Sequence, residues 1–236
     1  VADDRVLLRA RMTYRAAADG KLTVTMDAEI PDNGVRFYPR LGLCLPLVPT
    51  LENLRYFGYG PMESYIDKHL AARLGRFLTT VTDNFEPYLR PQENGHHTQT
   101  RWMTATDDQG KGLLIVADSL MEFNALRNSI EDFDCQESDK PYQWNNFSQT
   151  EINNRDCEWA ANRLRKQTHV NDIEPRNYVE ICLDGRHQGV AGYNSWGDRP
   201  QPCATIRSDR EYRWGFTLVP IQSIKKEADK KVRLKY

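Results

Sequence analysis

The sequence predicts an all-β fold, an antiparallel sandwich with about one short helix, and three observations carry that prediction. Apolar residues recur with a period of two in segments spread along the chain, as expected of strands that bury one face. Glycine, proline, asparagine and aspartate punctuate those segments at turn-length spacing. Helical periodicity is scarce, so the segments must pair mainly with one another.

Val6, Leu8, Ala10, Met12 and Tyr14 alternate with Leu7, Arg9, Arg11, Thr13 and Arg15. After Asp19-Gly20, Leu22, Val24, Met26, Ala28 and Ile30 repeat the pattern, which reads as a hairpin with one buried face. Leu41, Leu43, Leu45 and Leu47 keep the same step, as do Val179, Ile181 and Leu183, then Tyr212, Trp214, Phe216 and Leu218. Leu113-Leu114-Ile115-Val116-Ala117 is a continuous apolar run, the mark of a strand buried on both faces, and Gly110 and Gly112 mark the turn into it. The best helix candidate is Arg155 to Gln167, where Cys157, Ala160, Ala161 and Leu164 fall at helical spacing. Ser148-Gln149-Thr150-Glu151 has the pattern of a capping box for a short turn upstream.

Composition narrows the function classes. The 236 residues are 39% hydrophobic and 10% aromatic, enough for one real core, so the expectation is a single domain over 1–236. No apolar run approaches the ~18 residues needed to cross a bilayer, and mean hydropathy is -0.70. With 32 Lys+Arg against 33 Asp+Glu, the chain lacks the positive field of a dedicated nucleic-acid binder. Neither nucleic acid nor membrane is an expected partner. The basic tail from Lys225 to Tyr236 reads as a solvated terminal segment. Val1 to Arg5 carry no signal-peptide pattern, and a chain opening in a strand-like run is expected to be a piece of something larger.

Cys44, Cys135, Cys157, Cys182 and Cys203 are widely separated and contain no Cys-x-x-Cys pair, so no structural zinc is expected. They read as buried free thiols, with one intramolecular disulfide left open, and the compartment stays open between cytoplasm and periplasm. His96-His97 could suggest a metal, but neighbours on a strand point to opposite faces, so no metal is assigned. Asn146-Phe147-Ser148 is a glycosylation triplet of a kind that chance often produces.

Three segments combine glycine with polar and aromatic residues more densely than plain turns require. In Tyr56 to Asp67, Gly58 and Gly60 permit positive φ and Pro61 stiffens the exit of a tight crossover. Its bland reading is a buried aromatic loop whose Glu63 and Asp67 accept backbone hydrogen bonds. In Arg90 to His97, Asn94-Gly95 reads as a hairpin turn flanked by Glu93 and His96. Glu93 and Asn94 could hold a sugar hydroxyl, or equally satisfy main-chain donors. In Asp184 to Asp198, four glycines shape a long loop that delivers Trp196 beside Asn194 and Ser195. An indole face suits the C–H face of a pyranose, and it suits a packing anchor equally well.

Taken together, the clusters resemble the C-terminal domain of the large multidomain β-galactosidases of glycoside hydrolase family two, the small-chain type. The matching elements are Gly58-Tyr59-Gly60-Pro61-Met62-Glu63-Ser64-Tyr65-Ile66-Asp67, Pro91-Gln92-Glu93-Asn94-Gly95 with Thr100-Arg101 downstream, Leu183-Asp184-Gly185, Gly189-Val190-Ala191-Gly192 and Asn194-Ser195-Trp196. Ala191 departs from the pattern, where the family usually has glycine.

The resemblance implies a β-supersandwich of the galactose mutarotase-like kind. It implies hydrolysis of terminal β-galactosides such as lactose, with retention, by two glutamates on a separate (β/α)8 barrel, their carboxyls roughly 5 Å apart. Nothing in this chain matches either barrel motif, so no catalytic residue is assigned and the chain alone is expected to be inactive. By resemblance Trp196 closes the active site and stacks on the sugar, and the Pro91 to Gly95 loop faces the barrel. The substrate-binding set is therefore Trp196, Asn194, Glu93 and Asn94, with the galactoside and the other parent domains as partners. No cofactor is expected in this chain; the resemblance leaves room for magnesium and for homo-oligomerisation in the parent.

Two other classes compete. Aldose mutarotases share the supersandwich and need a His acid and a Glu base in one pocket, for which His96, His169 or His187 and Glu93 or Glu174 are the recruits. A stand-alone carbohydrate-binding module would act through Trp196, Tyr59 and Tyr193.

Overall fold

The computed structural model describes residues 6–35, 38–133, 169–192 and 199–222. All nine strands belong to one antiparallel sheet: β1 (Arg9–Ala16), β2 (Leu22–Ile30), β3 (Arg40–Leu47), β4 (Asn53–Gly60), β5 (Arg73–Thr80), β6 (His96–Thr106), β7 (Gly112–Leu126), β8 (Val179–His187) and β9 (Arg210–Ile221). The long strand β7 splits the sheet. Its first half, Gly112 to Ala117, pairs with β9 and leads to β2 and β1. Its second half, Glu122 to Leu126, pairs with β8 and leads to β3. β6 runs along β7 and passes the pairing on to β4 and β5.

The split creates the sandwich. Ile115, Ala117, Met103, Ala105, Val24 and Phe216 from one branch pack against Phe123, Ala125, Ile181 and Leu183 from the other, all at most 4% exposed. Leu43, Leu45 and Leu47 of β3 extend this core. The apolar run predicted to be buried on both faces is so: Leu114 and Val116 join Trp102, Val219 and Ile221 in a separate cluster on the other side of β7.

Several expectations need correction. The first hairpin forms in the expected register, but the buried face belongs to β2: Val24, Met26, Ala28 and Ile30 are at most 5% exposed, whereas Tyr14 is 60% exposed. β1 ends its branch of the sheet and is exposed along most of its length, with Met12 alone among its residues partly buried against the core. Gly58 and Gly60 are not turn glycines with positive φ; both lie inside β4, paired with Gly75 and Arg73. Asn94-Gly95 is not a hairpin turn, because β5 ends at Thr80 and a long loop leads into β6. Of the five cysteines, Cys182 is buried as expected, but Cys44 and Cys203 are exposed. Among the described residues the helical elements are three short 3-10 turns, at Ile130–Phe133, Val170–Asp172 and Pro202–Ala204. The helix expected at 155–167, the capping box, the glycosylation triplet, Cys135, Cys157 and the basic tail lie outside the described residues.

Candidate functional site

Strand pairing sets which side chains share a face. Residues directly opposite each other across β3, β8, β7 and β6 form rows, and successive rows alternate between faces. The row Leu43–Leu183–Phe123–His97 points into the principal core. The neighbouring rows, Cys44–Cys182–Asn124–His96 and Gly42–Asp184–Glu122, therefore point the other way. A bulge at Leu41/Gly42 then sets Arg40 opposite His187. The result is a dense polar face built from strands whose other face is apolar.

Arg40 is its organiser. Arg40 Nη2 donates to Asp184 Oδ2 at 2.9 Å and to Asn124 Oδ1 at 3.4 Å, and lies 3.7 Å from Glu93 Oε1. His96 Nε2 lies between Asp184 Oδ2 at 3.6 Å and Glu122 Oε2 at 3.7 Å, and His187 Nε2 is 3.7 Å from Glu93 Oε2. Tyr65 stacks on His96 with ring centroids 5.0 Å apart and meets His187 edge-on at 5.5 Å. Gly42 is required by this packing, since a Cβ there would lie 1.9 Å from Asp184 Oδ1.

Burial and charge oppose each other in this cluster. Burial alone pushes the His96 imidazolium down, but Asp184, Glu122 and Glu93 outweigh it and raise its pKa above the ordinary value. Glu93 is likewise disfavoured as an anion by burial, yet His187 and Arg40 pull its pKa below the ordinary value. Burial dominates at Glu122 and raises it. Among the described residues, Arg40 Nε and Nη1, Tyr65 Oη, His96 Nε2 and Asp184 Oδ1 are buried without a hydrogen-bond partner. Such atoms cost free energy unless something pairs with them, so their convergence on one face makes it the candidate site. The face offers donors and acceptors to hydroxyl groups, and its His–carboxylate contacts could exchange a proton with them.

The three segments singled out in the sequence meet here. Glu63 Oε2 accepts the Gly95 N–H at 2.8 Å, while its Oε1 contacts Lys68 and Tyr88. The Ser64 N–H donates to His96 O at 2.7 Å, and Ser64 O lies 3.1 Å from His96 Nδ1. Asp67 accepts the Val190 and Ala191 N–H groups, each at 3.0 Å, and thereby anchors the third segment to the first. Gly189 permits that approach, because a Cβ there would lie 2.1 Å from Asp67 Oδ2.

Of the predicted site residues, Glu93 joins the polar face and its side chain is 24% exposed. Asn94 is 2% exposed, accepts the Glu86 N–H at 3.2 Å and donates to Gln92 O at 3.0 Å, so its amide holds the loop. Trp196 and Asn194 lie outside the described residues, as does Tyr193. His187 meets Glu93 and His96 lies beside His187, whereas His169 precedes a 3-10 turn and Glu174 O receives the Asn128 amide. The opposed faces of His96 and His97 are as expected: His97 stacks on Phe123 and reaches Asn84 Oδ1 at 2.8 Å. Arg40, Glu122, Asn124 and Tyr65 were not singled out in the sequence as chemical groups. Met121-Glu122-Phe123-Asn124 does alternate apolar with polar, and that alternation was the available signal. For magnesium, the described residues are a poor fit: the group that brings three ligand-type atoms together is Cys44, Glu180 and Cys182, too rich in thiol for a hard cation.

The family model described as beta galactosidase small chain matches residues 2–218. A beta-galactosidase of Priestia megaterium is 28% identical over 221 residues, 94% of this chain and 18% of that protein. Those of Streptococcus thermophilus and Staphylococcus xylosus are 31% and 33% identical over 91% and 90% of this chain, again 18% of each relative. The chain thus spans about a fifth of the length of the relatives it matches. The family model covers nearly the whole chain, and relatives above 30% identity match over nine tenths of it: the chain belongs to the beta-galactosidase small chain family.

Proposed function

We propose that this chain is the C-terminal domain of a retaining β-galactosidase that hydrolyses terminal β-galactosides such as lactose, and that it contributes a sugar-facing wall to an active site completed by other domains. The observation that carries the reading is the anchoring of the Gly189–Ala191 backbone by Asp67, beside a face of buried polar atoms. Trp196, five residues after Ala191, supplies the stacking surface; Asn194 and Glu93 orient hydroxyls. Asn94 acts by holding the Glu93 loop in place. The nucleophile and the acid/base are glutamates of a barrel domain, and any magnesium belongs to residues outside those described here.

The test assays this chain and its full-length parent on an aryl β-galactoside and on lactose. The parent turns over and the chain alone does not, because nucleophile and proton donor are both missing. In the parent, Trp196→Ala weakens substrate or glucose binding by about 1–3 kcal/mol, roughly 10- to 100-fold in the affected constant, with unfolding unchanged. Unchanged kinetics on lactose would assign Trp196 a packing role.

The contact of His187 with Glu93, beside His96, favours a second reading, proton transfer at the anomeric centre of a free aldose. Fast α-to-β interconversion of galactose by the chain alone, lost in His96→Asn, would select it over the first.

A further inference from the structure

We propose that Cys44 and Cys182 form a reversible cross-strand disulfide, made by exchange with a low-molecular-weight disulfide, which staples β3 to β8 at the edge of the polar face. The two residues are direct register partners, and their Sγ atoms are 2.9 Å apart. Directly opposed residues of an antiparallel pair have Cα atoms about 4.5–5.5 Å apart, within the span a disulfide bridges. The sulfurs are already closer than the ~3.5 Å of ordinary non-bonded carbon contacts, so small side-chain rotations complete the bond without backbone movement.

The pair is asymmetric in the way exchange requires. Cys44 is exposed and Cys182 is 2% exposed. Cys44 is therefore the thiol that a dissolved disulfide can reach, and it attacks first, as its thiolate. Its sulfur attacks one sulfur of oxidised glutathione, forming a mixed disulfide and expelling one glutathione thiolate. Cys182 then attacks the Cys44 sulfur, the second glutathione leaves, and the two protein thiol protons end on the two glutathione molecules. Two protein thiols are oxidised by two electrons and one glutathione disulfide is reduced.

The staple closes a separation of 138 residues. Its structural effect follows from position: among the described strands β3 pairs with β8 alone, and β3 delivers Arg40 to Asp184. Cys203, the other described cysteine, meets Gln201 instead. Glu180 lies near both sulfurs, which makes a thiophilic cation such as zinc the competing occupant.

The test uses the full-length parent protein, reduced and then equilibrated with oxidised glutathione in metal-free buffer, followed by alkylation and peptide mapping. The Cys44 and Cys182 peptides appear joined and separate with dithiothreitol, and the unfolding midpoint rises by about 5–10 °C on oxidation. Cys44→Ser loses both effects, with a midpoint close to that of the reduced wild type. Separate alkylation of both thiols in folded, oxidised protein would overturn the proposal. So would glutathione retained on Cys44, a bond to Cys135, Cys157 or Cys203, or stoichiometric zinc held by the wild type and lost by Cys44→Ser.

Discussion

Arg40 and His96 hold the polar face together in different ways. Asp184 is fully buried and Arg40 is its cationic partner, so Arg40→Met leaves an uncompensated buried carboxylate. The expected cost is about 3–5 kcal/mol, read as a fall in the urea midpoint with unchanged slope. His96 makes stability depend on pH. Its folded pKa is raised, so its contribution is full below the ordinary value of 6.5 and is lost as pH rises through the folded value. Glu122, raised by burial, acts in the same sense from the lower starting value of 4.5. Glu93 is lowered, so its contribution is present above 4.5 and fades as pH falls through its folded value. Melting temperature against pH should therefore decline on the alkaline side in the wild type, and His96→Asn should flatten that decline while leaving the acid limb. An alkaline limb equally steep in the variant would remove His96 from the explanation.

Elements place these groups by alternation. β3, β8 and the second half of β7 send leucine, isoleucine and phenylalanine into the core, and the residues between them become the polar face without further design. Contacts at this scale are tight. Gly42→Ala brings a methyl against Asp184 and the Leu183 carbonyl, and should destabilise by about 1–3 kcal/mol in the same urea measurement. Asp67 acts between elements, holding the two amides of the loop that follows β8. In the parent enzyme, Asp67→Ala should raise KM for lactose about 10-fold while leaving the melting temperature within a few degrees, because the freed loop is local. A loss of folding equal to that of Arg40→Met would make Asp67 a core determinant instead.

At the scale of the molecule, the proposed function has the chain supply one side of a site. A half-site buries one sugar face and leaves the other in water, so the isolated chain should bind galactose or lactose in the millimolar range, no more than about 4 kcal/mol. Titration calorimetry decides this, and micromolar affinity would favour an independent binding module. The edge hairpin bears on the same picture: Tyr14 on β1 and Val6, Leu7 and Leu8 just before it are 40% exposed or more, and the outer edge of β1 meets no other described strand.

By itself the sequence determined the all-β class, the positions of β2, β3, β8 and β9, the doubly buried start of β7 and the family, because side-chain alternation and turn residues are local and survive without partners. It also marked the three segments that converge, including Glu63 and Asp67 as acceptors of backbone hydrogen bonds. What only the tertiary structure decided was the face. Arg40, Asp184, Glu122, Asn124 and His96 are brought together by strand register and by the bulge between β3 and β8, and register is a property of pairs of strands. The same pairing set Cys44 against Cys182, which are 138 positions apart in the chain.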